Sequence, residues 1–274
     1  MKRLLAASAL SVIALASQAN AADLAARPVY TKAPEFVPVV NNWSGWYIGG
    51  NVGYGWGNSD VTFGDLPGGT LGNLGVLNQT AGNGTSGVFG GGQVGYNWQM
   101  GSFLAGLEAD IQGSGIKGTT QLTPAVNFNP LAGEVTTGSS ESKLNWFGTV
   151  RGRLGVTAAP NFLLYGTGGL AYGEVNHSGN VQDFFPATLG DSGHTFPASV
   201  TQTKTGWAAG AGAEWMFTRG WSAKVEYLHV DLGSSSAIGN HLQNGAPDTT
   251  FGPVGYSWNN RFDSVRAGVN YHFN

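Results

Sequence analysis

The stretch WYIGGNVGYGW, residues 46–56, decides how this chain is built. Side chains alternate between the two faces of a β-strand, so every second residue shares a face. The apolar face comprises Trp46, Ile48, Gly50, Val52, Tyr54 and Trp56, and the small, polar face comprises Tyr47, Gly49, Asn51, Gly53 and Gly55. Such a strand rises roughly 36 Å, and when it is tilted by about 45° it spans about 25 Å, the height of the apolar band of a membrane β-barrel.

The same alternation recurs along the chain and predicts eight strands. Within residues 88–98, VFGGGQVGYNW, the part GGQVGYNW repeats GGNVGYGW of the first stretch almost letter for letter. The predicted strands are Trp46–Trp56, Val88–Trp98, Phe103–Ile116, Leu144–Val156, Phe162–Gly173, Thr205–Phe217, Trp221–Leu232 and Phe262–Phe273. Single-chain bacterial membrane barrels have an even number of antiparallel strands. The sequence therefore predicts an all-β fold, an eight-stranded antiparallel transmembrane β-barrel with up-and-down topology.

The connections between these strands alternate in length. The short turns are Gln99–Ser102, Thr157–Asn161 and Thr218–Gly220, and the long loops are Gly57–Gly87, Lys117–Lys143, Glu174–Lys204 and Gly233–Arg261. This arrangement is typical of outer-membrane barrels, which have long extracellular loops and short periplasmic turns. Aromatic residues of the long loops either contact other molecules or pack over the rim of the barrel; they are Phe128, Phe184, Phe185, Tyr256 and Trp258.

The N-terminal 45 residues are expected to lie outside the barrel. Residues 1–21 have the basic start, the apolar run and the Ala19-Asn20-Ala21 cleavage site of a secretory signal peptide. Residues 22–45 contain three prolines and predict a flexible periplasmic segment, with a plug inside the lumen as the alternative. The barrel domain is then residues 46–274.

The composition excludes several classes of protein. Charged residues make up 11% of the 274 residues, against roughly 25% in ordinary soluble domains. The formal net charge is −3, and it becomes −5 when Lys2 and Arg3 leave with the signal peptide, so nucleic acid is not an expected partner. The chain contains no cysteine, which poses no pairing problem in the oxidising periplasm.

The polarity of the two strand faces indicates which of them faces lipid. A soluble barrel or sandwich turns its apolar face inward and carries many charges on its outer face. Here the polar face is mostly Gly, Ala, Asn, Gln and Thr, which suits the interior of a small barrel better than a water-facing wall. A charge facing lipid would cost about 2–4 kcal/mol at the midplane. The charged positions are therefore predicted to point inward, and a soluble β-sandwich is the alternative.

Eight charged residues share the predicted inward face near the periplasmic turns, and their charges cancel. They are Glu108, Asp110, Arg151, Arg153, Glu214, Lys224, Glu226 and Arg266. Neighbouring strands place the two acids of residues 108–110 beside the two arginines of residues 151–153, Glu214 beside Lys224, and Glu226 beside Arg266. Because unpaired buried charges cost several kcal/mol each, we expect an ion-pair belt that closes the lumen. The alternative is that these residues only keep the interior hydrated and folded.

Aromatic residues at the strand ends are predicted to anchor the barrel at the two membrane interfaces. They are Trp46, Tyr54, Trp56, Tyr96, Trp98, Trp146, Trp207, Trp215, Trp221, Tyr271 and Phe273. The expected partners are accordingly outer-membrane lipid and lipopolysaccharide, with an extracellular or host ligand at the long loops as a further candidate.

The chain resembles a family of small alphaproteobacterial outer-membrane proteins. The stretches that carry the resemblance are NWSGWYIGGNVGYGWG, RGRLGV, YGTGGLAYG and the closing SVRAGVNYHF. The family includes the rhizobial RopB type and the major surface proteins of brucellae. The resemblance implies an eight-stranded, porin-like barrel in the outer membrane of a Gram-negative bacterium, with structural and surface-contact roles. Such barrels usually end on an aromatic residue that the barrel-insertion machinery reads, whereas here Phe273 is followed by Asn274.

No motif predicts catalysis, a cofactor or a metal. Gly113, Gly115 and Gly118 match a phosphate-binding glycine pattern but lie between a strand and a loop. The five histidines lack metal-ligand spacing. His229 and Asp231 would suit a lipid-modifying barrel enzyme, but no nucleophilic serine accompanies them. The remaining alternative is a narrow channel, in which inward glycines free space within the lumen; they are Gly49, Gly53, Gly55, Gly91, Gly95, Gly210 and Gly212.

Overall fold

The computed structural model describes residues 42–65, 79–126, 135–184, 192–249 and 252–273, almost all of which are β-strand. The predicted signal peptide, most of the predicted lead-in and Asn274 lie outside this part. The strands are β1 (Gly45–Asn58), β2 (Val61–Asp65), β3 (Gln79–Ala81), β4 (Gly84–Met100), β5 (Phe103–Ser114), β6 (Lys117–Val126), β7 (Val135–Ala159), β8 (Phe162–Phe184), β9 (Ser192–Thr218), β10 (Trp221–Gly239), β11 (Leu242–Gln243), β12 (Ala246–Pro247) and β13 (Val254–Phe273).

Eight of these strands close into an antiparallel ring in the order β1, β4, β5, β7, β8, β9, β10 and β13. The ring is completed by β1 and β13, which pair from Trp46 opposite Phe273 to Trp56 opposite Asp263. Closure leaves no exposed sheet edge within the ring. The predicted eight-stranded barrel is therefore the observed architecture, and each predicted strand lies within a strand of the ring, apart from the last residues of Phe103–Ile116.

Tight turns join three pairs of ring strands at one end, which we call the proximal end. The turns between β4 and β5 and between β9 and β10 each place a glycine in the left-handed region, Gly101 at φ 63° and Gly220 at φ 77°. That conformation is open to glycine because it has no Cβ. The third turn, at Pro160 and Asn161, joins β7 and β8.

Among the described residues, much of the long connections is strand, where the sequence predicted loops. β7, β8 and β9 run for 25, 23 and 27 residues, and β2, β3 and β6 add further strands at the distal end. We call this part beyond the ring the distal extension. Its strands form because apolar residues alternate with hydroxyl and amide residues there as well, and the apolar ones pack inside. The interior cluster contains Val61, Phe63, Val181, Phe196, Ala198, Val254, Tyr256 and Trp258.

The polarity of the two faces inverts along single strands. On β13 the outward residues change from Val265 and Val269, which are 42% and 44% exposed, to exposed Ser257 nearer the distal end. The inward residues change in the opposite sense, from buried Arg266 to buried Trp258. The ring is therefore apolar outside and polar within, whereas the distal extension is polar outside and apolar within.

The outward face of the ring is the apolar face that the sequence predicted. Residues that a water-soluble protein would bury are about half exposed or more on this face, among them Ile48, Val52, Leu107, Ile111, Val150 and Leu170. On β1, the outward residues from Trp46 to Tyr54 carry no charge. The described part of the chain has no helix long and apolar enough to span a membrane.

Candidate functional site

The interior of the ring contains a network of ion pairs at the level where the sequence placed its charge belt. All eight predicted residues point inward, and each of them is at most 4% exposed. They come from β5, β7, β9, β10 and β13, and their positions follow from the two-residue period of strands whose apolar residues face outward. Four acids and four bases make the network neutral.

Arg151 and Arg266 form the centre of this network. One guanidinium nitrogen of Arg151 lies 2.6 Å from the Glu108 carboxylate and 3.0 Å from that of Asp110, and the other lies 2.8 Å from Glu226. Arg266 contacts the same three acids, with its Nε donating to Glu226 across 2.6 Å. Two cations therefore share three carboxylates, so that none of the five groups is left unpaired.

Arg153 and Glu214 form the proximal part of the network. The Arg153 guanidinium lies 2.7 Å from Glu214 and donates across 2.7 Å to the Tyr47 hydroxyl, which in turn donates to Glu108. Its guanidinium carbon also lies 4.1 Å from the centre of the Tyr165 ring, a cation–π distance. Tyr47 therefore joins the proximal pair to the central cluster.

Two predicted neighbours do not form an ion pair with each other. Glu214 and Lys224 are Cα partners across the tight hairpin, as expected, but the Lys224 ammonium lies 2.8 Å from Glu108 instead. The Glu214 carboxylate already accepts hydrogen bonds from Ser222 and Asn270 in addition to Arg153. A backbone register predicts which side chains are neighbours, but it does not predict which of several nearby acids a flexible lysine reaches.

Several members of the network were missing from the prediction because they are uncharged. Tyr47, Thr149 and Asn270 donate to its carboxylates at 2.8, 2.7 and 2.7 Å. Their positions on the inward face, at the level of the charges, were readable from the sequence. Buried carboxylates need donors for all their lone pairs, so polar inward neighbours of the belt could have been included on that ground.

Two apolar layers enclose the network from above and below. The proximal layer consists of Trp43, Leu104, Leu163, Tyr165 and Met216. The distal layer consists of Phe89, Ile116, Leu144, Phe147, Ala171, Val175, Ala208, Leu228, Val230, Leu232 and Phe262. In the distal layer the Phe147 ring lies 5.2 Å from both Phe89 and Phe262, which is edge-to-face packing of the kind found in protein cores. Apolar packing as well as charge therefore fills the lumen.

The prediction that inward glycines free space within the lumen, which supported the channel alternative, was wrong. A Cβ atom on Gly95 would lie 2.3 Å from the Tyr47 hydroxyl, and one on Gly53 would lie 2.4 Å from the Phe89 ring. Gly212 faces the Tyr165 ring in the same way. The glycines therefore make room for large side chains from other strands, and the room is occupied.

The predicted interfacial anchors lie on the outward face at the two ends of the ring. Trp46 is 59% exposed and packs edge-on against Tyr96, with ring centres 5.2 Å apart, and Trp221 packs similarly against Tyr271. Near the distal end of the ring, Trp146 lies 6.1 Å from Tyr172. The remaining predicted anchors are outward and at least 39% exposed: Tyr54, Trp56, Trp98, Trp207, Trp215 and Phe273.

Two of the aromatic residues assigned to long loops do not reach the surface. Tyr256 and Trp258 are 1% and 0% exposed and stack 5.6 Å apart inside the distal extension. Both lie on a strand whose inward face is apolar at this level, so they cannot contact an external molecule. Phe128 and Phe185 lie outside the described residues, as does the side chain of Phe184.

A second polar cluster surrounds His177 inside the distal extension. Its ring nitrogens lie 2.9 Å from the Ser142 hydroxyl and 2.8 Å from the Asn260 carbonyl oxygen, and its ring stacks on Trp258 at 5.0 Å. Burial lowers the pKa of His177 to about 4, because the charged imidazolium would lose its hydration. The imidazole is therefore neutral at pH 7. The adjoining cavity of about 30 Å³ is large enough to hold a water molecule.

The described residues show no arrangement of side chains that favours metal binding or the enzymatic modification of lipids. They contain no group of three or more His, Cys, Asp or Glu side chains able to hold a metal ion. The Nδ1 atom of His229 lies 2.8 Å from Asp263, which also accepts a hydrogen bond from Tyr227, so its carboxylate partner is not the predicted Asp231. Gly113 lies on β5, Gly118 on β6 and Gly115 between them, and in the described part of the chain no helix follows.

The chain was compared with known proteins. The model of the outer membrane protein beta-barrel domain matches residues 5–273. The chain is 36% identical to the 31 kDa outer-membrane immunogenic protein of Brucella melitensis, over 94% of this chain and 95% of that protein. It is 32% identical to the 22 kDa outer membrane protein of Rhizobium leguminosarum, over 72% of this chain and 68% of that protein.

The chain belongs to the outer membrane protein beta-barrel domain family. It is an integral β-barrel protein of the outer membrane of a Gram-negative bacterium, as the resemblance implied. Among solved structures it is similar to the outer membrane protein OprG of Pseudomonas aeruginosa, with a TM-score of 0.44 and 14% identity over 85% of this chain and 99% of that one. Because barrels of the outer membrane have short turns on the periplasmic side, the family assignment makes the proximal turns periplasmic and the distal extension extracellular.

Proposed function

We propose that this protein is a structural and surface-interaction barrel whose lumen is closed. The observation that carries the proposal is the filled interior of the ring, where the ion-pair network lies between two apolar layers. Eight strands enclose an interior just wide enough for side chains, and here the glycines are covered by Tyr47, Phe89 and Tyr165. Ions would have to cross both apolar layers.

The rigid interior supports a structural role. The network joins five ring strands through charge-assisted hydrogen bonds of 2.6–3.2 Å. Removing one partner of a buried ion pair typically costs about 3–5 kcal/mol, so each cation is tied to the stability of the whole ring. The closed ring then supports the extracellular surface without having to open.

The same observations give no support to a catalytic function. The relatives are named as outer-membrane proteins, and His229, considered for lipid modification together with Asp231, contacts Asp263 instead. We therefore propose a role that involves no chemical reaction.

Ion conductance tests the proposal. The protein is refolded into detergent, its folding is verified by the difference in gel mobility between boiled and unboiled samples, and it is inserted into planar bilayers. We expect no discrete conductance steps. An Arg151→Ala, Arg153→Ala variant that remains folded is also expected to be closed, because the distal apolar layer is intact. Steady conductance of the wild type would favour the narrow-channel alternative and overturn the proposal.

A further inference from the structure

Two lysines face each other on the outer surface just above the extracellular aromatic ring. Lys117 on β6 and Lys143 on β7 are direct Cα partners, and both side chains are exposed. Like charges directly opposite each other destabilise a sheet. The described residues provide no acid within 4.0 Å of either ammonium group. A bound anion would compensate this repulsion.

A concave surface continues outward from the lysine pair. It has a volume of about 800 Å³ and crosses β6, β7, β8 and β9, within the usual size range of ligand sites. Its outward-facing lining combines hydroxyl and amide side chains with the apolar ring of Pro197 and the single carboxylate of Glu141; the hydroxyl and amide residues are Thr119, Gln121, Ser139, Ser178, Asn180 and Ser199. Hydroxyl and amide groups in this density match the hydroxyl groups of sugars.

An apolar surface lies on the other side of the lysine pair, toward the membrane. Trp146 lies on the outward face of β7, on the membrane side of Lys143. Its ring packs against Tyr172 of β8. Below them, Val150 and Leu170 are 49% and 68% exposed on the same two strands. One column of the outer surface therefore runs from apolar, through aromatic and cationic, to hydroxyl-rich.

We propose that this column is a binding site for lipopolysaccharide of the outer leaflet. The molecule has acyl chains, phosphates on its lipid anchor and then core sugars, which is the order of the surface chemistry along β7. The phosphates would contact Lys117 and Lys143 through charge-assisted hydrogen bonds. The core sugars would lie in the concavity, and the acyl chains would lie against Val150 and Leu170. The proposal goes beyond the closed barrel, since a conducting barrel could carry the same outer surface.

Two acids lie near the column, and neither forms an ion pair within 4.0 Å with Lys117 or Lys143. Glu174 accepts a hydrogen bond from Asn145 at 2.8 Å, and Glu141 lies farther out, opposite Thr119. The site therefore has two cations and two carboxylates, with the two ammonium groups adjacent to each other. In the outer leaflet, divalent cations available to lipopolysaccharide phosphates can also bridge to Glu141.

Binding of purified rough lipopolysaccharide to the refolded, detergent-solubilised protein tests the proposal. The test variant is Lys117→Gln, Lys143→Gln. The matched control is Arg219→Gln, Arg261→Gln, which also removes two exposed cations, one in a periplasmic turn and one on β13. We expect the test variant to lose about tenfold in affinity, corresponding to two weakened phosphate contacts, and the control to bind like the wild type. Boiled and unboiled gel samples verify that each variant is folded.

Two additional probes distinguish the possible sources of binding. Dephosphorylated lipopolysaccharide should bind the wild type about as weakly as intact lipopolysaccharide binds the lysine variant. The soluble core oligosaccharide alone should bind much more weakly. Equal losses in the test and control variants would show general charge attraction and overturn the site. Binding of the soluble oligosaccharide as tight as that of intact lipopolysaccharide would overturn the assignment to the outer leaflet and indicate a free glycan.

Discussion

The ring and the distal extension are built from the same strands with opposite polarity. In the ring, the outward face of β13 carries Val265 and Val269, and the inward face carries Arg266. In the distal extension, the same strand turns Ser257 outward and buries Trp258. One surrounding solvent cannot account for both patterns, because apolar residues face away from water. The inversion therefore marks the place where the barrel leaves the lipid.

The comparison also shows two ways of filling a small barrel. The interior of the ring is neutral ion pairs between apolar layers, whereas the interior of the distal extension is stacked aromatic residues around one polar cluster at His177. A buried charge network is costly to break, while an apolar core loses stability in proportion to the packing removed. The two regions should respond differently to substitution.

The largest effect is expected when one cation is removed from the ring. Arg151→Ala leaves Glu108, Asp110 and Glu226 short of a partner, and it should lower the free energy of unfolding by about 3–5 kcal/mol. Denaturant unfolding of the refolded protein in lipid vesicles measures this. The control Arg261→Ala removes an exposed guanidinium from β13 and should change stability by less than about 0.5 kcal/mol. A loss below about 1 kcal/mol for Arg151→Ala would show that the network is not a coupled unit.

A charge placed on the outward face should distinguish the two regions on a single strand. Val269→Lys puts an ammonium against the middle of the lipid band and should destabilise the barrel by about 2–4 kcal/mol. Ser257→Lys makes a comparable change on the distal extension and should cost less than about 0.5 kcal/mol. The same unfolding experiment compares them, and similar losses in both variants would refute the assigned boundary.

Acid should loosen the distal extension before the ring. The pKa of His177 is about 4 in the folded protein, against about 6.5 when exposed, so the opened form binds the proton more readily. Stability of the distal extension is therefore unaffected above pH 6.5 and falls between pH 6.5 and pH 4, by at most about 1.4 kcal/mol per pH unit. Amide hydrogen exchange on β8 measures it, and His177→Gln should remove the dependence. A pH-independent wild type would exclude the mechanism.

A single methyl group tests how tightly the ring is filled. Gly95→Ala would place a Cβ atom 2.3 Å from the Tyr47 hydroxyl, displacing the ring that joins Arg153 to Glu108. Overpacking of this kind typically costs about 1–3 kcal/mol. Gly84→Ala, which would meet nothing within 4 Å, is the control and should be close to neutral. Equal stability of the two variants would show that the interior has room to spare.

The sequence predicted the ring more completely than the distal extension. The aromatic and apolar alternation of residues 46–56, together with the low charge of the polar face, favoured a membrane barrel over a soluble sandwich, and the inward charges followed from that choice by the strand period. The distal extension was missed because its alternation is inverted and its polar residues, such as Ser139 and Ser178, are typical of loops. The partner of Lys224 could not be predicted from the sequence. Strand pairing does not determine whether the lysine contacts Glu108 or Glu214, because that depends on how the side chains pack in three dimensions.

Cysteine scanning along β13 tests the central claim most directly, because the chain has no cysteine of its own. Six single cysteine variants at outward positions of β13 are reconstituted in vesicles and treated with a water-soluble maleimide. They replace Gly255, Ser257, Asn259, Arg261, Ala267 and Val269. Labelling is expected at positions 255, 257, 259 and 261 and not at 267 and 269, where a fluorophore attached beforehand should instead be quenched by brominated lipid. Aqueous labelling at 267 or 269, or lipid quenching at 257, would contradict the assignment of lipid to the ring and water to the distal extension.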